Sequence, residues 1–262
     1  MLPRTIAFIG DLHCGSHCGL WPTEDLPGGI KGTKYKGVRY LNKCYQHMIQ
    51  NWPEIDLLVL MGDLIDGKQR KSSGVGIFTS SLNEQVSASI EILKPLKKKS
   101  KKIVRVFGTP YHEDHDNCLD SLDKALDVKK VDQVLNIEID KKILNVAHHP
   151  SGGSALYAGT SVDKESLWST IAAAEKNVPN ARWIVRAHKH MWIMQETRFK
   201  MVCIVPCFEL PTFHAIKVNY WRFQPSIGGM LMTADKSHDS GYRFTASTYD
   251  VPIPEIYNVE HI

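Results

Sequence analysis

Residues 5–13 read TIAFIGDLH, and this stretch decides the fold because it joins an apolar strand to a loop of polar residues. Apolar and β-branched side chains dominate Thr5–Gly10, which predicts a β-strand. Asp11 and His13 follow directly. In an α/β sheet, functional residues gather at the carboxyl ends of the strands. The stretch therefore predicts one strand of an α/β sheet with candidate functional residues at its carboxyl end.

The same pattern recurs along the chain, because short apolar runs alternate with longer amphipathic segments. This alternation is typical of βα units and a largely buried sheet. The predicted strands are Thr5–Gly10, Asp56–Met61, Lys102–Phe107, Lys142–Ala147 and Ala181–Ala187. The predicted helices are Val38–Asn51, Ser81–Lys98, Asn117–Leu126 and Val162–Lys176.

After Met191 the pattern changes to strands without helices between them. The predicted strands are Phe199–Val205, Phe213–Phe223, Gly229–Ala234 and Tyr242–Asp250, with a turn at Ser226–Gly229. We expect residues 191–262 to form a mostly antiparallel continuation of residues 1–190, within one domain that spans residues 1–262. A long glycine-rich loop at Gly15–Gly37 and an irregular tail at Val251–Ile262 are also expected.

All five predicted strands of the first part are followed by a carboxylate, an imidazole or both. The segments read GDLHCG (10–15), GDLIDG (62–67), GTPYHED (108–114), HHP (148–150) and HKH (188–190). An Asp-x-His pair after a strand can aim two side chains at one ion, and His-x-His can do so from another side. Mixed oxygen and nitrogen ligands suit Mn²⁺, Fe or Zn²⁺ better than Mg²⁺ or Ca²⁺. The pattern therefore predicts a transition-metal site.

The order of these blocks resembles the calcineurin-like metallophosphoesterases, in which Asp-x-His, Gly-Asp and His-x-His each follow a strand. The resemblance covers roughly the first 190 residues. It implies an α/β (α+β) fold, a four-layer αββα sandwich of two mixed sheets flanked by helices, with a binuclear metal site at the carboxyl ends of the strands. It also implies hydrolysis of a phosphoester by a water held between two divalent cations, with Mn²⁺ favoured and Fe, Zn²⁺ or Ni²⁺ as alternatives.

The resemblance assigns a metal-binding role to six residues. It places Asp11, His13 and His190 on the first metal, Asp63 between both metals, and His148 and His188 on the second. His149 competes with His148, and we favour His148 because the first imidazole of a similar His-His-Pro block is the ligand in the family.

The third block departs from the family pattern, because Thr109 stands where the family has an asparagine ligand. A neutral hydroxyl is a poorer ligand, so we expect a second metal position that is weaker, exchangeable or differently selective. His112 is the candidate general acid, with a role as nitrogen ligand as the alternative. Asp66 is a candidate for holding a ligand imidazole in the required tautomer.

The composition, with 43% hydrophobic and 23% charged residues, is ordinary for a globular protein. The formal net charge of +4 includes the run KKKSKK (97–102), which we interpret as a solvated helix end, with a nucleic-acid patch as the alternative. Six cysteines without an N-terminal apolar stretch of signal-peptide length favour free thiols and a cytoplasmic location. No window is apolar enough for a membrane span, so no membrane partner is expected.

The leading functional hypothesis is a phosphodiesterase or nuclease acting on nucleic acid or a nucleotide. A phosphomonoesterase or nucleotide phosphatase is the alternative within the same chemistry. A non-catalytic scaffold with the same fold is favoured only by Thr109. The metallo-β-lactamase class has an early His-x-His-x-Asp-His block, whereas the His-x-His motif of this chain comes late, at residues 188–190.

Overall fold

The fold is described from a computed structural model, over residues 4–23, 35–70, 73–113, 117–152, 159–212 and 224–251. The predicted strand Phe213–Phe223, residues 114–116, residues 24–34 of the glycine-rich loop and residues 252–262 of the tail lie outside these ranges. The helices are α1 (Lys36–Asn51), α2 (Leu82–Lys99), α3 (Asp120–Leu126) and α4 (Thr160–Ala174). The strands are β1 (Thr5–Ile9), β2 (Leu57–Leu60), β3 (Ile103–Val106), β4 (Val128–Asp132), β5 (Val134–Ile139), β6 (Lys142–Ala147), β7 (Ala181–Arg186), β8 (Ile193–Glu196), β9 (Met201–Ile204), β10 (Ile227–Ala234) and β11 (Tyr242–Tyr249).

Within the described residues, the strands form two mixed sheets. The first has the order β11-β10-β1-β2-β3-β4, in which β1 to β4 are parallel and β10 and β11 are antiparallel. The second has the order β5-β6-β7-β9-β8, in which β6, β7 and β9 are parallel and the two edge strands are antiparallel. Parallel strands present their carboxyl ends at one edge of a sheet, which is where the polar blocks lie.

Alternation along the strands sorts the side chains into layers. In β1, Ile6 and Phe8 face the second sheet and pack in a core with Trp183 of β7. Ala7 and Ile9 point the other way and pack against α1, α2 and α3. On the outer face of the second sheet, β7 and β9 pack against α4. The structure therefore confirms the αββα sandwich.

The boundaries of the predicted βα units agree with the structure to within a few residues, but three strands were not predicted. These are β4, β5 and β8. Both β4 and β5 carry lysine, aspartate or glutamate at exposed positions, and this mixed polarity hides a strand from an apolar pattern. The predicted turn Ser226–Gly229 was wrong from Ile227 onward, where β10 begins.

The C-terminal strands also divide between the sheets in a way that the sequence did not indicate. β8, β10 and β11 pair antiparallel, whereas β9 runs parallel to β7 in the second sheet. A parallel pair needs a crossover connection. Here the edge strand β8 occupies the connection between β7 and β9, in place of a helix.

Two further features bear on the expectations from composition. All six cysteines are free thiols, and four of them are buried. Among the helices that the structure describes, none combines the length and apolar character needed to cross a membrane.

Candidate metal centre

The blocks that follow β1, β2, β6 and β7 meet at one place, at the carboxyl ends of these strands. Backbone contacts join them directly. Asp11 N–H donates to the carbonyl of Gly62 at 2.9 Å, Ala187 N–H donates to the carbonyl of His148 at 2.9 Å, and His188 N–H donates to Asp11 Oδ2 at 3.1 Å. The two sheets therefore contribute their polar loops to a single cluster.

One group of possible ligand atoms consists of Asp11, His13 and His190. His190 Nε2 lies 3.3 Å from Asp11 Oδ1 and 3.3 Å from His13 Nε2, while His13 Nε2 lies 3.9 Å from Asp11 Oδ1. Ligand atoms that share an ion at about 2.1 Å lie roughly 3.0–3.4 Å apart. Two of the three pairs in this group are therefore spaced as they would be around a metal ion, and the third, His13 Nε2 to Asp11 Oδ1, is wider.

A second group consists of Asp11, Asp63 and His148. His148 Nε2 lies 3.1 Å from Asp63 Oδ2 and 3.9 Å from Asp11 Oδ1. The ring of His188 is 5.3 Å from that of His148. Asp11 is the carboxylate that belongs to both groups, so a bridging role for Asp63 stays a prediction.

Hydrogen bonds at Nδ1 fix the tautomers of two of these histidines. The Nδ1 atom of His13 lies 3.2 Å from Asp66 Oδ1, and that of His148 lies 2.6 Å from the carbonyl of Met61. When Nδ1 carries the proton that these acceptors need, Nε2 presents its lone pair to the cluster. Metal-binding histidines are commonly held in this way.

Two buried polar atoms in the cluster lack the partners that such atoms normally have. Asp11 Oδ1 and His148 Nε2 make no hydrogen bond to any part of the chain that the structure describes. Neutral His148 would direct a lone pair at Asp63 Oδ2 across 3.1 Å, which is favourable only when a cation lies between the two atoms. A proton or a metal ion can fill that role, so the site fits a bound cation.

The backbone of the cluster is strained. Asp11, His13, Asp63, His188 and His190 all have positive φ angles, between 45° and 69°. Residues with a Cβ rarely adopt this left-handed region, and each costs about 1–3 kcal/mol unless its surroundings stabilise it. Five of the six predicted metal residues thus share a conformation that aims their side chains at the cluster at the expense of stability.

Thr109 contacts Asp63 instead of extending past it toward the other possible ligands. Its backbone N–H donates to Asp63 Oδ1 at 2.6 Å, and its hydroxyl lies 3.0 Å from Oδ1 and 3.3 Å from Oδ2 of the same carboxylate. Gly108 permits this approach, since a Cβ there would lie 2.3 Å from both Asp63 N and Oδ1. Thr109 therefore fixes the orientation of the Asp63 carboxylate.

A buried carboxylate joins the loops after β2 and β3. Glu113 accepts hydrogen bonds from the N–H groups of Leu64 at 3.0 Å and Gly108 at 2.8 Å, and it pairs with Arg105 at 3.2 Å. Arg105 in turn forms a bidentate pair with Asp123 of α3. Glu113 and its partner Arg105 thereby hold together the loops that carry Asp63 and Thr109.

His112 lies at the rim of the cluster, with its ring 4.4 Å from that of His13. Its Nδ1 is 2.9 Å from the carbonyl and 3.4 Å from the carboxylate of Asp66. Burial opposes the charged form, but the contact with Asp66 and the nearby Asp63 raise the pKa of His112 to about 9. In the metal-free protein the imidazole therefore holds a proton at neutral pH.

The carboxylates and imidazoles of the cluster shift one another's pKa values. Burial works against ionisation, yet His148 and its neighbours hold the pKa of Asp63 well below its usual range. The two carboxylates raise the pKa of His148 to about 9, again against burial. Burial and the adjacent His148 lower the pKa of His188 to about 4. His188 is thus a neutral imidazole at pH 7, the form that binds metals.

Two more residues, His149 and Glu209, lie next to the histidines of the cluster. His149, the alternative to His148, is exposed, and its ring lies 4.3 Å from that of His188. Glu209 was not predicted from the sequence. Its buried carboxylate lies 3.6 Å from His13 Nε2 and 3.5 Å from His190 Nδ1.

The segment that carries Glu209 is bonded to the loop after β1. Phe208 N–H donates to the carbonyl of Asp11 at 3.0 Å, and Leu210 N–H donates to the carbonyl of Cys18 at 2.8 Å. No spacing in the sequence indicates this contact, because nearly 200 residues separate the two segments.

Comparisons with known proteins give only distant structural similarity. No protein-family model and no curated protein matches the chain. Among solved structures, it is similar to a novel archaeal phosphodiesterase (12% identity, 92% of this chain and 99% of that one, TM-score 0.46). It is also similar to Vps29 from Entamoeba histolytica complexed with Zn²⁺ (12%, 92% and 97%, TM-score 0.45) and to a predicted phosphoesterase from Streptococcus pneumoniae (11%, 96% and 95%, TM-score 0.41).

The chain's own topology and motifs agree with one another. Its two mixed sheets lie between layers of helices, and the blocks after β1, β2, β6 and β7 converge at the carboxyl ends of these strands. The chain therefore has the αββα sandwich that its motifs predict.

Proposed function

We propose that this protein is a metal-dependent phosphoester hydrolase that uses two divalent cations. The observation that carries the proposal is the convergence of buried Asp11, Asp63 and His148 with His13 and His190, their donor atoms facing one another at 3.1–3.9 Å. A cluster that exists only to stabilise the fold has no need of five strained residues.

The donor set divides into two positions. Asp11, His13 and His190 would hold one cation, with Glu209 beside them, and Asp63, His148 and His188 would hold the other. When bound, two such cations lower the pKa of a water, neutralise phosphoryl oxygens and stabilise the leaving oxygen. Mn²⁺ is the favoured ion because the ligands mix carboxylate oxygen with imidazole nitrogen.

The remaining polar residues orient this machinery and move protons. Asp66 lies within reach of both His13 Nδ1 and His112 Nδ1, so one carboxylate positions a metal ligand and the proton donor together. His112 holds a proton at neutral pH in the metal-free protein, and its place beside the cluster suits it to give a proton to the departing oxygen. Thr109 holds the Asp63 carboxylate.

We favour a phosphodiesterase or nuclease over a phosphomonoesterase. The lysine run gives this choice no support, because Lys97 and Lys99 donate to the backbone carbonyls of Ala125 and Ile49. What supports a diesterase is the open, basic cleft beside His112 that is described below. A non-catalytic scaffold is the second candidate, because Thr109 uses its hydroxyl on Asp63 and supplies no amide ligand.

The test is hydrolysis of bis(p-nitrophenyl) phosphate and of p-nitrophenyl phosphate with added Mn²⁺. We expect turnover of the diester, and we expect Asp63→Asn to abolish it. Asp127→Asn is the matched control, because Asp127 also has a positive φ angle, 59°, but is exposed at the end of α3 and pairs with Lys129. Absence of turnover with Mn²⁺, Zn²⁺, Fe²⁺ and Ni²⁺ would favour the scaffold.

A further inference from the structure

An open cleft with a volume of about 120 Å³ adjoins the candidate metal centre. Its lining includes Gly67, Lys68 and Arg70 from the loop after β2, Tyr111 and His112 from the loop after β3, and Leu82 at the start of α2. His112 belongs to both places, since it lines the cleft and packs against His13 of the cluster. A group that leaves the cluster past His112 therefore enters this cleft.

The inner wall of the cleft is rigid. Buried Gln85 of α2 accepts from the N–H groups of Asp66 and Gly67 and donates to the carbonyls of Gly67 and Thr79. Gly67 has a φ of 74°, and a Cβ there would lie 2.8 Å from the carbonyl oxygen of His112. The two loops are thus fixed against each other, which keeps the cleft in place beside the proton donor.

The described lining of the cleft carries two basic side chains. Lys68 and Arg70 are exposed at its surface, and none of the described residues that line it is acidic. Tyr111 adds an aromatic ring, 40% exposed, whose hydroxyl donates to Gln69 Oε1 at 2.9 Å. Two cations beside an exposed aromatic ring match the two parts of a nucleotide, because phosphates pair with cations and bases stack on aromatic rings.

The lysine run lies at the opposite end of the first sheet from the cluster. The lysine run at residues 97–102 precedes β3, whereas the cluster follows it, and a strand of four residues spans about 13 Å. Lys101 in that run pairs with Asp56 at 2.6 Å. A strand of nucleic acid at the cluster therefore meets Lys68 and Arg70 rather than this run.

We propose that the cleft binds the leaving side of an oligonucleotide, with the next phosphate of the strand at Lys68 and Arg70 and a base against Tyr111. This inference rests on the proposed function and names its substrate class. A nucleic-acid strand carries this next phosphate and a simple phosphodiester does not, so the cleft distinguishes the two.

The test compares the dinucleotide TpT with pTpT and TpTp, which carry one extra phosphate at opposite ends. We expect one of the two extended substrates to have a kcat/KM about tenfold above that of TpT, as one charge-assisted contact provides. In Lys68→Ala/Arg70→Ala this ratio should fall to about one. Lys98→Ala/Lys102→Ala, which removes the same charge at the other end of the sheet, should keep the wild-type ratio.

The outcomes separate the two proposals. The protein could hydrolyse bis(p-nitrophenyl) phosphate but show no preference for an extended dinucleotide, or hydrolyse no dinucleotide at all. Either result overturns the cleft proposal and leaves the proposed function intact. An equal fall of the ratio in both double variants also overturns it. If none of the substrates is hydrolysed with added metal, the proposed function itself is overturned.

Discussion

Glu209→Gln is the substitution that tests most sharply what the structure adds to the sequence. The carboxylate lies 3.6 Å from His13 Nε2 and 3.5 Å from His190 Nδ1, so it either orients these imidazoles or contributes charge to the ion that they bind. Loss of such a supporting group typically costs 10- to 100-fold in metal affinity. Because glutamine keeps the size and removes a full charge, we expect the upper part of that range for the tighter of two Mn²⁺ positions.

The assay is titration of metal-free protein with Mn²⁺, followed by calorimetry and by the electron paramagnetic resonance signal of free Mn²⁺. Glu138→Gln is the control, since Glu138 is an exposed residue of β5. Thermal unfolding of both metal-free variants checks that each is folded. Dissociation constants of Glu209→Gln within twofold of the wild type would refute the role of Glu209 and leave it as a residue that only fills space.

Four further outcomes are expected, two from the geometry and two from the raised pKa of His148. Thr109→Val removes the hydroxyl that holds Asp63 and should weaken Mn²⁺ binding about tenfold in the same titration, whereas unchanged binding would show that the backbone N–H suffices. His112→Ala should slow esters with alkoxide leaving groups by about 10²–10⁴-fold and aryl esters far less, and an equal loss on both would make His112 a ligand. The pKa of His148 is about 9 in the folded protein and 6.5 in the unfolded chain. Its proton must leave before a metal binds, so the Mn²⁺ affinity of the position that contains His148 should rise about tenfold per pH unit up to pH 9. The same raised pKa stabilises the metal-free fold fully below pH 6.5 and no longer above pH 9, so the melting temperature of the metal-free protein should fall across that interval. A Mn²⁺ affinity that does not change with pH would contradict this account.

Much of the fold was predictable because its signals are local. Thr5–Ile9 and Leu57–Leu60 are continuous apolar runs that end at glycine, and polar blocks follow both. The convergence of the blocks followed from parallel strands, which bring their carboxyl ends together. That inference needs only periodicity and order along the chain, whereas the αββα arrangement was implied by the resemblance to the calcineurin-like metallophosphoesterases.

The remaining features depend on contacts between distant segments. Val128–Asp132 pairs with β3 although each of its residues is half-buried or exposed, so the pairing sets its structure. Glu209 reaches the cluster because backbone hydrogen bonds join its segment to the loop after β1. A threonine hydroxyl is a weaker metal ligand than an amide, and only the structure shows that the Thr109 hydroxyl contacts Asp63 instead. No pattern within one segment contains this information.

Metal stoichiometry tests the central claim most directly. Purified protein, stripped with chelator, dialysed against Mn²⁺ and analysed for metal, should hold about two ions per chain, and Asp63→Asn should hold about one or fewer. Fewer than one ion per chain in the wild type, together with equal metal content in Asp63→Asn, would contradict the account.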